Sequence, residues 1–210
     1  MEQKERWLDW CVRLQALAQA GLHYGKDAFD LERYQEIRNI AAEMMSEGTG
    51  LPVEKVQSLF CNDSGYQTPK IDTRAAIFED GKILLVHEAA GKSAGRWSLP
   101  GGWCDVNCSA AENTIKEVRE EAGRDVKIRR VIAVQDREKH NRPVYAYKIC
   151  KIFVECEALG GAFQPNSETS ETRYFALDEL PPLAEEKNTR EQIEMCFRAM
   201  QAETWETLID

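Results

Sequence analysis

Three glutamates, Glu117, Glu120 and Glu121, fall within five residues of one another, behind a loop that opens with Gly101 and Gly102. On a helix, like charges three and four residues apart repel and weaken it. Either neighbouring cations quiet them, or a ligand outside the helix requires them. Lys116 lies four residues before Glu120 and Arg124 four after it, so a solvated, charge-laced face is one reading. The glycine loop supports the other. Pro100 fixes the chain direction, and Gly101 and Gly102 allow close backbone approach. Three carboxylates plus the bare Gly101 carbonyl form a hard oxygen donor set. Mg²⁺ and Mn²⁺ prefer such ligands, and Mg²⁺ is commonly shared with substrate phosphates.

The elements around these residues read clearly. Ser109 with Glu112 three residues on forms a capping box, and Gly123 suits the end of that helix. Ala111, Ile115, Val118 and Ala122 form an apolar stripe, which predicts the three glutamates on the opposite face. Before the helix, TRAAIF and KILLVHE are strands joined at EDG. After it, VKIRRVIAVQD, VYAYKICKIFVECEAL and RYFAL are strands, and REKHNRP is a polar loop. A last helix begins near Thr189, which forms a capping box with Gln192 and turns Ile193, Cys196, Phe197 and Met200 inward. This order implies an α/β sandwich with a mixed sheet over residues 65–210. Residues 1–64 predict three helices instead. Their inward stripes are Trp7, Cys11, Leu14, Leu17 and Ala18; Leu31, Tyr34, Ile37, Ala41 and Met44; and Val53, Val56, Leu59 and Phe60. Gly21 and Gly48 are expected stops. So small a helical domain needs a surface to dock on, either the rest of the chain or a second copy.

The chain has 210 residues and a net charge of −9, with a pI near 5.0. That acidity argues against nucleic acid and membrane surfaces as partners. No apolar run approaches the roughly 18–20 residues of a membrane span, and the start lacks a secretory pattern. Seven cysteines at irregular spacing read as reduced thiols, so a cytoplasmic location is expected. Cys104 and Cys108 lack a second half for a zinc site.

Residues Gly102 to Arg124 resemble the box of the Nudix family, G-x5-E-x7-R-E-U-x-E-E-x-G-U, where U is bulky and apolar. Gly102, Glu117, Val118, Glu120, Glu121 and Gly123 match. Cys108 replaces the first glutamate, Lys116 the arginine and Arg124 the last apolar residue. The resemblance implies a Nudix α/β/α sandwich preceded by a small all-helical domain. It assigns Glu117, Glu120, Glu121 and the Gly101 carbonyl to Mg²⁺ or Mn²⁺, while the replaced glutamate and arginine would have oriented loop and helix. It implies a pyrophosphohydrolase acting on a nucleoside diphosphate linked to another moiety.

The N-terminal helices, WSLPGGW, the segment from Asp136 to Pro143 and DELPPL are similar to bacterial CDP-choline pyrophosphatases, often labelled ADP-ribose pyrophosphatases. Cleavage of CDP-choline to CMP and phosphocholine is therefore expected, with ADP-ribose the alternative substrate and a non-catalytic nucleotide-binding module a third reading. The same resemblance implies homodimers with the N-terminal helices in the interface. For the general base, Glu120 stands first and Glu168 or Glu171 downstream. Arg74 is a candidate for diphosphate or for a salt bridge, and Glu88 for the site or a solvated strand end. Lys139, His140 and Asn141 are candidates for phosphate or base, Trp97 and Trp103 for stacking on a base or enclosing choline, or for the core.

Overall fold

A computed structural model describes residues 3–210, which divide into two compact units. One comprises residues up to Pro69 together with Val144–Tyr147. The other comprises Lys70–Pro143 and Lys148–Asp210.

The first unit holds helices α1 (Gln3–Tyr24), α2 (Ala28–Thr49) and α3 (Val53–Phe60). The Asp27 side chain caps α2 by accepting the N–H groups of Phe29 and Asp30 at 3.0 and 3.1 Å. Gly21 and Gly48, expected as stops, lie inside helices. A Cβ on Gly21 would stand 2.4 Å from the Tyr34 ring, and one on Gly48 2.3 Å from the Trp7 indole. These glycines let an aromatic ring lie against a helix backbone. The core is Cys11, Ala42, Met45 and Val56, with Trp7, Val53, Phe60 and the returning Ala146 packed on it. Leu17 and Leu59, expected inside, are exposed. The inward face of α1 is instead carried by Cys11, Gln15, Ala18 and Gln19.

The second unit is a mixed sheet between helices. Its strands are β1 (Lys70–Glu79), β2 (Lys82–Glu88), β3 (Trp97–Ser98), β4 (Arg124–Asp136), β5 (Ile149–Gly161), β6 (Thr169–Phe175) and β7 (Leu208–Ile209). Their order is β3-β2-β1-β5-β4-β7, with β6 on the other edge of β2. β1 runs parallel to β5, and β4 parallel to β7. Helix α4 (Ala110–Ala122) covers one face with Val118 and Ala122, against Ala75, Ile77, Leu84, Val86 and Val154. Helix α6 (Arg190–Gln201) covers the other with Ile193, Cys196 and Phe197, against Ala76, Leu85, Ile132 and Phe153. The alternation of Ala75, Ala76 and Ile77 along β1 feeds the two faces in turn. The EDG hairpin turns through Asp80 and Gly81, both at positive φ.

Two further sequence readings are corrected. REKHNRP is not all loop, because Arg137–His140 forms a short helix, α5, capped by the Asp136 carboxylate, which accepts the Glu138 N–H at 3.0 Å. The strand read from Val144 begins at Ile149, since Val144–Tyr147 belongs to the helical unit.

Candidate active site

β1 and β2 pair only at the hairpin end, Phe78 with Ile83 and Glu79 with Lys82. Beyond that they part, and the glycine loop enters the gap. Ala75 N–H donates to the Pro100 carbonyl and Thr73 N–H to the Gly102 carbonyl, each at 2.9 Å. Cys104 N–H donates to the Ile71 carbonyl, and Trp103 bridges Asp72. The flanking carbonyls are thus taken by β1, while Gly101 is turned elsewhere. Its N–H donates to Glu121 Oε2 at 2.8 Å. Gly101 has φ +140°, and a Cβ there would lie 2.0 Å from the Thr73 carbonyl oxygen. Only glycine fits.

α4 is stopped and started as its sequence implies. Ser109 and Glu112 make both bonds of the capping box, and Gly123 closes the helix at φ +61°. Its buried face differs from the expected stripe. Ala111 and Ile115 are exposed, while Asn113, Thr114, Val118, Glu121 and Ala122 are buried. Glu121 therefore faces inward rather than with its two companions. The reason is polar. Asn113 Nδ2 donates to Thr73 Oγ1 at 3.0 Å, and Glu121 finds the Gly101 N–H, so two polar side chains fasten the helix to β1 and its loop.

Burial pushes the Glu121 carboxyl up to about 7, helped by the nearby charge of Glu88 and opposed by Arg74, the Gly101 N–H and Lys187. Glu88 is also buried, accepting from Ser98 Oγ and from Lys187 Nζ at 2.5 Å each. Glu117 lies under the loop: a Cβ on Gly102 would be 2.8 Å from its Oε2. Glu120 is exposed. Lys116 Nζ lies 3.0 Å from Glu117 Oε1 and 3.4 Å from Glu120 Oε2.

Downstream, Asn166 Nδ2 donates to the Glu120 carbonyl at 2.9 Å, and Asn166 Oδ1 accepts from Glu168 N–H at 2.8 Å. Thr169 Oγ1 donates to the Glu121 carbonyl at 2.8 Å. The loop carrying Glu168 is thereby tied to the last turn of α4. Glu171 is spent on Arg173 at 2.5 Å.

Of the remaining candidates, Arg74 and Trp103 lie by the glycine loop and the others do not. Arg74 is on a central strand and buried; its Nε and Nη2 donate to Asp72 at 3.2 and 2.8 Å, and Nη1 to the Leu99 carbonyl at 3.3 Å. Trp97 packs in the core against His87 and Phe175. Trp103, beside Gly102, is 48% exposed, with Lys70 Nζ 6.0 Å from its ring centre. Lys139 and His140 meet the Asp210 carboxylate. Asn141 is fully buried and exchanges hydrogen bonds with Gln192 at 3.0 and 3.1 Å. Lys187 and Asn188 were not singled out by sequence. Asn188 Oδ1 accepts the Leu99 N–H at 2.8 Å and so supports the loop from below. Their position just before the α6 cap is the one signal that was available.

The donor types suit a hard divalent cation: carboxylates from Glu117, Glu120 and Glu121 and a backbone carbonyl kept off β1. Among the described residues, no three acidic, histidine or cysteine side chains converge as placed on one ligating point. Lys116 sits between two of them, and Glu121 is turned to Gly101.

Residues 68–196 match the model of the NUDIX domain. The chain belongs to the Nudix hydrolase family. Residues 5–60 match a second model, a UDP-X-like, N-terminal oligomerisation domain. "Putative ADP-ribose pyrophosphatase YjhB" of Bacillus subtilis is 40% identical over 98% of this chain and 97% of its own length. The crystal structure of an ADP-ribose pyrophosphatase from Streptococcus suis is 53% identical, covering 68% of this chain and all of that one, with a TM-score of 0.63. A UDP-X diphosphatase structure is 35% identical over 99% of this chain and all of that one, with a TM-score of 0.62. The protein is accordingly an α/β Nudix hydrolase of pyrophosphate bonds, a family that generally uses divalent metal ions. No helix among the described residues is long and apolar enough to cross a membrane.

Proposed function

We propose that this Nudix hydrolase cleaves the diphosphate of a nucleoside diphosphate joined to a second moiety, releasing a nucleoside monophosphate and the phosphorylated partner. The observation that carries this reading is the α4 carboxylate row lying against a glycine loop that only glycine can form. Glu117, Glu120, Glu121 and the Gly101 carbonyl would hold Mg²⁺ or Mn²⁺, which when bound supplies positive charge to the diphosphate oxygens and a more acidic water. Glu120, the exposed member of the row, would take the proton of the attacking water, with Glu168, carried beside the same turn by Asn166, as the alternative base. Lys187 and Arg74 balance the charge of the buried Glu88 and Glu121.

The names of the relatives favour ADP-ribose as the substrate, which would give AMP and ribose 5-phosphate. CDP-choline is the second reading. It is favoured by Trp103, a half-exposed indole beside Gly102 whose ring already has an ammonium over it and so suits a choline cation. Product analysis with ADP-ribose, CDP-choline and a UDP-sugar, in Mg²⁺ and in Mn²⁺, decides between them. AMP release at the highest kcat/KM supports the first reading. CMP release supports the second, and loss of that activity alone in Trp103→Ala would assign the choline contact. Hydrolysis of none of them would overturn the proposal.

A further inference from the structure

Lys116 Nζ has a third anionic neighbour, Asp105 Oδ2, at 3.1 Å. One ammonium therefore joins the glycine loop to two α4 carboxylates. Asp105 is itself fixed. Its N–H donates to Asn113 Oδ1 at 3.1 Å, the same buried asparagine whose amide reaches Thr73 on β1. Its carbonyl accepts the Cys108 N–H at 3.0 Å, closing a tight turn. Cys108 brings no carboxylate to Lys116, so the loop's anion for this cation comes from three residues earlier in the chain.

We propose that Asp105 is a positioning residue, acting through Lys116 to set where the carboxylates of Glu117 and Glu120 rest before they turn to a metal ion. A lysine has three donors on a flexible stem, and pairing with the glutamates alone leaves it free to swing between them. The contact to Asp105 draws Nζ toward the loop and sets where both carboxylates rest. Asp105 and Lys116 are substantially solvent-exposed, so their pairing contributes little to folding. A larger effect on turnover than on stability is the mark of positioning. This inference rests on the reading of the α4 carboxylates as the reacting site.

The test compares Asp105→Asn, Lys116→Met, the double variant and the conservative Asp105→Glu. The readouts are kcat, KM, calorimetric Mn²⁺ binding without substrate, and denaturation midpoints. Asp105→Asn should lower kcat about tenfold, within the range that small misplacements of reacting groups cost. It should weaken Mn²⁺ binding severalfold and leave KM and the denaturation midpoint nearly unchanged. Asp105→Glu should recover most of the loss, and the double variant should be no worse than Lys116→Met alone. Wild-type kcat and Mn²⁺ affinity in Asp105→Asn, or losses that multiply in the double variant, would overturn the proposal. If the unaltered protein hydrolyses no nucleotide, the functional reading fails, and the Mn²⁺ isotherms of the four variants still decide the pair.

Discussion

Gly101 shows how much one residue can determine. Its positive φ and its bare Cα, where a Cβ would stand 2.0 Å from the Thr73 carbonyl oxygen, set the loop against β1, and its N–H fixes Glu121. Gly101→Ala should therefore cost on the order of 2–3 kcal/mol from backbone strain alone, with added cost from displacing β1. Denaturant titration measures this, and wild-type stability would contradict the close approach. That the three glutamates share one helix behind the glycine loop was legible in the sequence, because the Ser109 cap and Gly123 bound that helix. Lys187 and Asn188 were not legible, since they reach the site from about 90 residues away with no motif to mark them. Asn141 misled for a related reason. A polar KHN segment resembles an exposed loop, and only the fold shows that Gln192 meets it in the interior.

Among the elements, β1 and β5 are joined by more than their ladder. Asp72 and Lys151 are register partners, and Lys151 Nζ lies 2.7 Å from Asp72 Oδ2, with Arg74 on the same carboxylate. All three are buried. Burial pushes the Asp72 carboxyl up, but Arg74 and Lys151 outweigh it and hold it below the usual carboxylate range. A depressed carboxyl contributes stability above its unfolded value, near 4, and that contribution is lost as pH falls through the folded value. Asp72→Asn should cost about 3–5 kcal/mol at pH 7, because it leaves two cations buried without their partner. The difference from wild type should shrink below about pH 4. Denaturant titrations at pH 7 and pH 3.5 would show it, and a constant difference would contradict the assignment. Cap residues made both ends of α4 and the start of α6 readable in advance. The inward face of α4 was misjudged because periodicity scores Glu121 as polar and therefore outward, whereas a buried N–H and two nearby cations offset part of its desolvation.

At the scale of the molecule, the helical unit matches an oligomerisation domain, and Trp10, Leu17 and Tyr24 are exposed at seven-residue steps along α1. Such a stripe in contact with water favours association. We expect a homodimer in light scattering, and Leu17→Glu should shift it toward monomers. An unaltered mass in both proteins would place the interface elsewhere. The mixed sheet was legible from strand patterning, while β3 and β7, two residues each, were too short to carry a pattern. The central claim is that the α4 carboxylates perform the hydrolysis. Steady-state turnover of Glu120→Gln, beside the unaltered protein in saturating Mg²⁺ or Mn²⁺, tests it most directly. The substitution keeps size and helix propensity and removes one exposed charge, so folding should be unaffected. We expect kcat to fall roughly 10²- to 10³-fold, the scale seen when one preorganised electrostatic group is removed. Turnover within twofold of the unaltered protein would contradict the claim and return the glutamates to a solvated helix face.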